Sequence, residues 1–189
     1  MNSLEIKEVY RDYRPPADAA EVIRRLIYYV PSEYLRNLHR IVLTNSSTLS
    51  RSRRRGKTWY RNKKVRIPDS LGLYHKKWND TPAWIEIFVD NIVNSSDSIT
   101  FRIPCLREMA FAHVLFHELG HHIHKAIHPE HNEREDVAEK WEKKLTRLFV
   151  RKRYWYVVPF RYPLILIVKG LKNCFKSRNR DRCSVSLIH

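Results

Sequence analysis

The run VLFHELGHHIH, residues 114–124, limits what this chain can fold into more than any other stretch. It contains His-Glu-x-x-His: His117 and His121 lie four residues apart, with Glu118 beside the first. On an α-helix, residues i and i+4 leave the same face one turn apart, so these two imidazoles can grip one ion together. Glu118 stands about 100° round the helix from His117, near enough to reach a water held on that ion. The flanks support a helix, because no proline interrupts Leu106 to Ala126. Phe111, Leu115, Leu119, Ile123 and Ala126 share a side away from the two histidines. That pattern predicts an amphipathic helix with its apolar stripe to the core and its histidines to a cleft. The competing explanation is a solvated histidine cluster, in a chain that has 10 histidines. It accounts for the histidines but not for the long apolar helix that carries them.

A catalytic zinc takes three protein ligands as a rule and keeps one position for water. His124 continues the histidine stripe but lies about 10.5 Å along the axis from His117, too far for a straight helix to bring both to one ion. His128 and His131 fall in a loop with no supporting pattern. A second helix, from Glu133 to about Lys152, carries Val137, Ala138, Trp141, Leu145, Leu148 and Phe149 on one side. Glu135, Glu139 and Glu142 line the adjoining stripe. After so short a link the two helices should pack roughly antiparallel, with the carboxylates toward the histidines. Glu135 is assigned as third ligand and Glu139 as the carboxylate that holds a ligand histidine in its tautomer. Simple antiparallel geometry levels Glu139 with His121 instead, so the order of the pair stays open, with Glu133 behind both. Asn132 three residues before Glu135 also fits a capping box.

His117-Glu-Leu-Gly-His121 followed by Glu135-x-x-Ala138-Glu139 resembles the gluzincin metallopeptidases. The likeness is nearest to their minimal form, the minigluzincins, and to zinc-peptidase domains of the ImmA/IrrE group. It covers roughly residues 20 to 150 and extends to element order: a helix, a small sheet, the HExxH helix, then a glutamate helix. The resemblance implies an α+β, minigluzincin-like fold, in which a small mixed sheet packs on the active-site helix and the glutamate helix. It implies one Zn2+ per chain on His117, His121 and Glu135, a zincin-like metallopeptidase domain over residues 1–150, and a peptide or protein substrate. At the position of Glu139 related families more often carry Asp or Asn.

The expected reaction is amide hydrolysis by a zinc-bound water, with Glu118 as general base passing the proton to the leaving amine. Tyr74, His113 and His124 are candidate oxyanion donors. Trp84 to Val89 alternates cleanly and reads as an edge strand beside the cleft, where a substrate peptide could add as a further strand.

The rest of the chain adds a small sheet and a charged surface. Residues 1–16 read as an irregular or edge segment. A helix follows from Ala17 and stops at Pro31, and a short helix capped by Ser32 comes next. Strands are predicted at Arg40–Thr44, Thr58–Tyr60 and Gly72–His75, and Ile92 to Pro104 reads as a connector. The net charge of +16 favours a polyanionic neighbour, either nucleic acid or an anionic membrane surface. Arg51, Arg53, Arg54, Arg55 and Lys57, read as a loop between strands, are the candidate phosphate contacts, with Trp59 and Tyr60 available for stacking. Three cysteines without C-x-x-C spacing suit a reducing compartment, and the N-terminus has no apolar signal core. The expected location is cytoplasmic, with peripheral membrane association as the alternative. Residues 151–189 form an extension, apolar from Tyr154 to Val168 and basic beyond it. Two other functions remain consistent with these residues. One is a non-catalytic zinc-binding regulator that contacts nucleic acid through the basic loop and tail. The other is a latent peptidase whose tail covers the cleft.

Overall fold

This computed structural model describes residues 4–60, 63–97, 101–127 and 134–155. The chain divides into two compact units, Met1–Phe149 and Val150–His189, and the residues that build the site belong to the first. His128, His131 and Glu133 lie outside the described residues, as does the tail from residue 156 onward with the roles expected of it.

The architecture is mixed α+β. Strands β1 (Glu5–Val9), β2 (Leu38–Thr44), β5 (Gly72–His75) and β6 (Ala83–Phe88) form one sheet in the order β1-β2-β6-β5. β1, β2 and β6 run parallel, and β5 closes the far edge antiparallel to β6. Strands β3 (Lys57–Tyr60) and β4 (Lys63–Arg66) pair separately as an antiparallel ribbon.

Parallel neighbours need a crossover, and helix α1 (Ala19–Tyr28) supplies the one between β1 and β2. The Asp18 side chain caps it, accepting a 2.8 Å hydrogen bond from the Glu21 amide. Ala19, Ala20, Val22, Ile23 and Leu26 are buried, and their three- and four-residue spacing puts them on one side of the helix. Ile41 and Leu43 of β2 sit opposite Ile85 and Ile87 of β6, and all four are fully buried. With side chains alternating across a strand, these residues make one apolar face.

The strand Trp84 to Val89 is therefore not at an edge. β6 is hydrogen-bonded on both sides, and the edge strand is β5. The alternation that suggested a half-solvated strand comes from Glu86, which is itself buried. Helix α3 (Val89–Asn94) follows β6 without a break, so the predicted connector begins as helix. Asp90, which reads as a turn signal, accepts hydrogen bonds from the Ser46 amide (2.9 Å) and hydroxyl (2.6 Å) and ties α3 to the end of β2. The basic run is also helical: α2 (Arg51–Arg55) is capped by the Ser50 side chain.

The long helix α4 (Pro104–Ile127) starts at a proline, whose missing N–H costs nothing in a first turn. It is buried nearly all round from Phe111 to His124 rather than along one stripe. His117, His121, His122 and His124 consequently sit inside the fold, not on an open face. Helix α5 (Glu135–Arg153) crosses it where Gly120 meets Ala138. A Cβ on Gly120 would lie 2.6 Å from the Ala138 carbonyl oxygen and 2.8 Å from its Cα, so only glycine permits this approach. No helix among the described residues is long and apolar enough to cross a membrane.

Candidate metal centre

The Gly120–Ala138 contact decides which acidic side chains meet which histidines. On α4, residues 113, 117, 120, 121 and 124 share one face by helical spacing; on α5, residues 135, 138, 142 and 145 do the same. The two stripes meet in antiparallel sense. His121 Nε2 lies 3.6 Å from one oxygen of Glu135, and His117 Nε2 lies 3.3 Å from the other. Further along, His117 Nδ1 is 3.3 Å from Glu142 Oε2, and His113 Nδ1 is 2.7 Å from Glu142 Oε1.

Glu139, expected to hold a ligand histidine in its tautomer or to serve as the alternative ligand, has a different partner in this structure. It stands about 100° round α5 from Ala138, off the contact stripe, and its carboxylate pairs with Lys143 at 3.6 Å. The carboxylate behind His117 is Glu142, two turns after Glu135. The sequence places Glu142 in the acidic stripe; what it could not give is the rotation of one helix against the other.

His117, His121 and Glu135 each offer a ligand atom, and these atoms lie within 4.8 Å of one another. The group could bind a metal ion. Tetrahedral bonds of roughly 2.0–2.2 Å space ligand atoms roughly 3.4 Å apart. The separations of 3.3 and 3.6 Å between the imidazoles and the carboxylate match that spacing. Two imidazoles and one carboxylate are also a donor set that suits zinc.

The surroundings act on the two histidines in opposite directions. Burial disfavours a proton on His117, but the carboxylates of Glu135 and Glu142 and the charge of Glu118 outweigh it and raise its pKa to about 9. His121 is pushed down by burial and then by the positive charge on His117. Its Nδ1 is buried with no hydrogen-bond partner among the described residues.

Glu118 lies on a third stripe of α4, with Val114 and His122, and the edge strand β5 runs along it. A Cβ on Gly72 would lie 2.8 Å from Val114 Cγ1 and 2.9–3.0 Å from Glu118 Cγ and Oε1. Gly72 thus lets the edge strand approach directly over the Glu118 carboxylate. Further along β5, Tyr74 packs on His122. His122 Nε2 donates to the Arg36 carbonyl (2.9 Å), which leaves Nδ1 to accept from the Tyr74 hydroxyl at 3.4 Å. Burial keeps His122 neutral by lowering its pKa. Of the candidate oxyanion donors, Tyr74 is therefore directed at His122, His113 at Glu142, and His124 is buried one turn beyond His121.

The basic cluster is not a free set of phosphate contacts. Arg53 forks onto the buried Glu86, with Nη1–Oε1 at 3.1 Å and Nη2–Oε2 at 2.5 Å. Arg54 donates to the carbonyls of Leu49 and Ser47. Arg51, Arg55 and Lys57 are exposed.

No family model matches this chain, no curated protein matches it, and no solved structure matches it.

Proposed function

We propose that the chain is a zinc-dependent metallopeptidase of the minimal gluzincin kind. The observation that carries this reading is the convergence of His117 Nε2, His121 Nε2 and the Glu135 carboxylate, with Glu118 on the adjoining stripe beneath an edge strand. Zinc bound there would polarise a scissile carbonyl and acidify a water. Glu118 takes the proton of the attacking water and hands it to the leaving amine. Its closeness to Gly72 supports this role, because a substrate backbone added to the outer edge of β5 would run past the same carboxylate. The peptide-binding edge in this reading is β5, not the Trp84–Val89 strand. Burial of the site favours it too, since a proton-transfer carboxylate gains strength away from bulk water.

The test is zinc stoichiometry measured beside hydrolysis of casein or a peptide library, for wild type and Glu118→Gln. The expected result is one zinc per chain in both, with cleavage in wild type and a loss of roughly 10²–10⁴-fold in the variant. Cleavage that survives the substitution would overturn the mechanism. A wild-type chain that takes up no zinc would overturn the reading altogether.

A further inference from the structure

The reaction just described uses His117, His121, Glu135 and Glu118, and it leaves His113 and Glu142 without a role. Glu142 is almost fully buried on α5, yet both of its oxygens face imidazole nitrogens of α4: Oε1 faces His113 at 2.7 Å and Oε2 faces His117 at 3.3 Å. His113 and His117 are one turn apart, so a single carboxylate can span them. A carboxylate held at one oxygen can still turn about its Cγ–Cδ bond. Held at both, its plane is set.

We infer that His113 is a positioning residue for the metal site, acting through Glu142. It holds Glu142 so that the second oxygen faces Nδ1 of His117, and this in turn aims Nε2 of His117 at Glu135. A carboxylate behind a ligand imidazole fixes its tautomer and orientation and raises its basicity. The inference rests on the metal reading, and it names a group that the sequence pattern had offered only as an oxyanion donor. His113 differs from Glu142 in one practical respect. Its side chain is 42% exposed and forms part of the wall of a cavity of about 570 Å³, with Leu71, Ile92, Met109 and Val114. It can therefore be changed without opening the core.

Four variants test the chain of contacts. His113→Leu removes the donor at similar size. His113→Asn keeps an N–H near the place of Nδ1. Glu142→Gln removes the charge, and His113→Leu/Glu142→Gln combines the two. Zinc affinity is read by competition with a chromophoric chelator. Glu142→Gln should weaken zinc about 10–100-fold and His113→Leu about 3–10-fold, with His113→Asn within about twofold of wild type. If His113 acts only through Glu142, the double variant binds zinc no more weakly than Glu142→Gln alone. A merely structural role would not produce that non-additivity. The second readout needs no metal: in the zinc-free chain, the slowly exchanging ring proton of His117 that faces Glu142 is followed by NMR. It should persist in wild type and His113→Asn and be lost in His113→Leu. Unchanged zinc affinity in His113→Leu, full additivity in the double variant, or a persistent ring proton in His113→Leu each overturns the inference. Should wild type take up no zinc, the peptidase reading falls, and the ring proton alone still decides this one.

Discussion

Among the described residues, two places bury carboxylates beside histidines, and they satisfy them by different means. On one side of the sheet, Glu86 of β6 receives both arms of Arg53, and His75 Nε2 lies 3.0 Å from the same carboxylate. His75 stacks on Trp84 at 3.9 Å, and the Arg40 guanidinium lies over the other part of that pair. At the α4–α5 crossing, Glu135 and Glu142 meet the imidazoles of His121, His117 and His113. An arginine carries its charge at every accessible pH, so the first cluster has its cation built in. An imidazole carries charge only while it holds a proton, and the same lone pair can go to a metal. The first arrangement is suited to holding β6 and α2 together. The second is suited to exchanging protons for an ion.

The comparison breaks most visibly at the crossing. Glu135→Ala should weaken zinc binding by more than the ~10–100-fold that loss of a supporting carboxylate costs, since it removes a direct ligand. The readout is chelator competition on the purified chain. If Glu135→Ala held zinc as wild type does, the third ligand would lie elsewhere.

At the other cluster the large effect should be on stability. Arg53→Met leaves Glu86 buried with only His75 against it among the described residues. Removing one partner of a buried pair costs about 3–5 kcal/mol, and because Arg53 is partly exposed a figure of about 2–3 kcal/mol is expected here. Urea unfolding measures this, and zinc affinity should not move. A variant that bound zinc more weakly would show that the two regions are coupled.

The pH dependences of the two clusters should oppose one another. Burial raises the Glu86 pKa, but His75 and Arg53 outweigh it and hold the carboxylate below its ordinary value. Its contribution is therefore present above about pH 4.3 and lost as pH falls through the lower folded value. His117 of the zinc-free chain is raised from 6.5 to about 9. Its contribution is complete below about pH 6.5 and lost as pH rises through about 9. His121, whose pKa is lowered, acts below about pH 6.5 and so leaves that alkaline window alone. Melting temperatures across pH should show the alkaline fall in the zinc-free chain and in Arg53→Met alike, while the acid-side contribution shrinks in the variant to what His75 alone supports. An alkaline slope that vanished in Arg53→Met would contradict the separation of the two sites.

What could be read from the sequence follows the range of the interactions concerned. His117, Glu118 and His121 are placed by helix arithmetic within one element, and the structure keeps them on neighbouring stripes of α4. The strand at Gly72–His75 and the apolar face of α1 are equally local. The order of the sheet is not local: Trp84–Val89 alternates like an edge strand because its polar member is Glu86, and His75 and Arg53, 11 and 33 residues away, make that burial tolerable. Helix α3 was hidden for the same reason, since Asp90 and Asn91 resemble a turn until Ser46 is seen to bond to Asp90. The acidic partners of α4 fall between these cases. Their stripe is visible in sequence, but the rotation that selects Glu135 and Glu142 is fixed by the contact of Gly120 with the Ala138 backbone.

That rotation has its smallest consequence at Glu139. Sequence spacing makes it as good a ligand as Glu135, and a turn's difference in register would have exchanged them. Off the contact stripe, with Lys143 as its partner on the same helix, it forms a surface pair of a kind worth only a few tenths of a kcal/mol. Glu139→Ala should leave zinc affinity within about twofold and shift unfolding free energy by no more than about 0.5 kcal/mol. The pair of variants is therefore diagnostic: Glu135→Ala and Glu139→Ala remove the same group from one helix, one turn apart. A large loss of zinc in Glu139→Ala would mean that α5 is turned in solution so that its acidic stripe presents a different residue to His117 and His121.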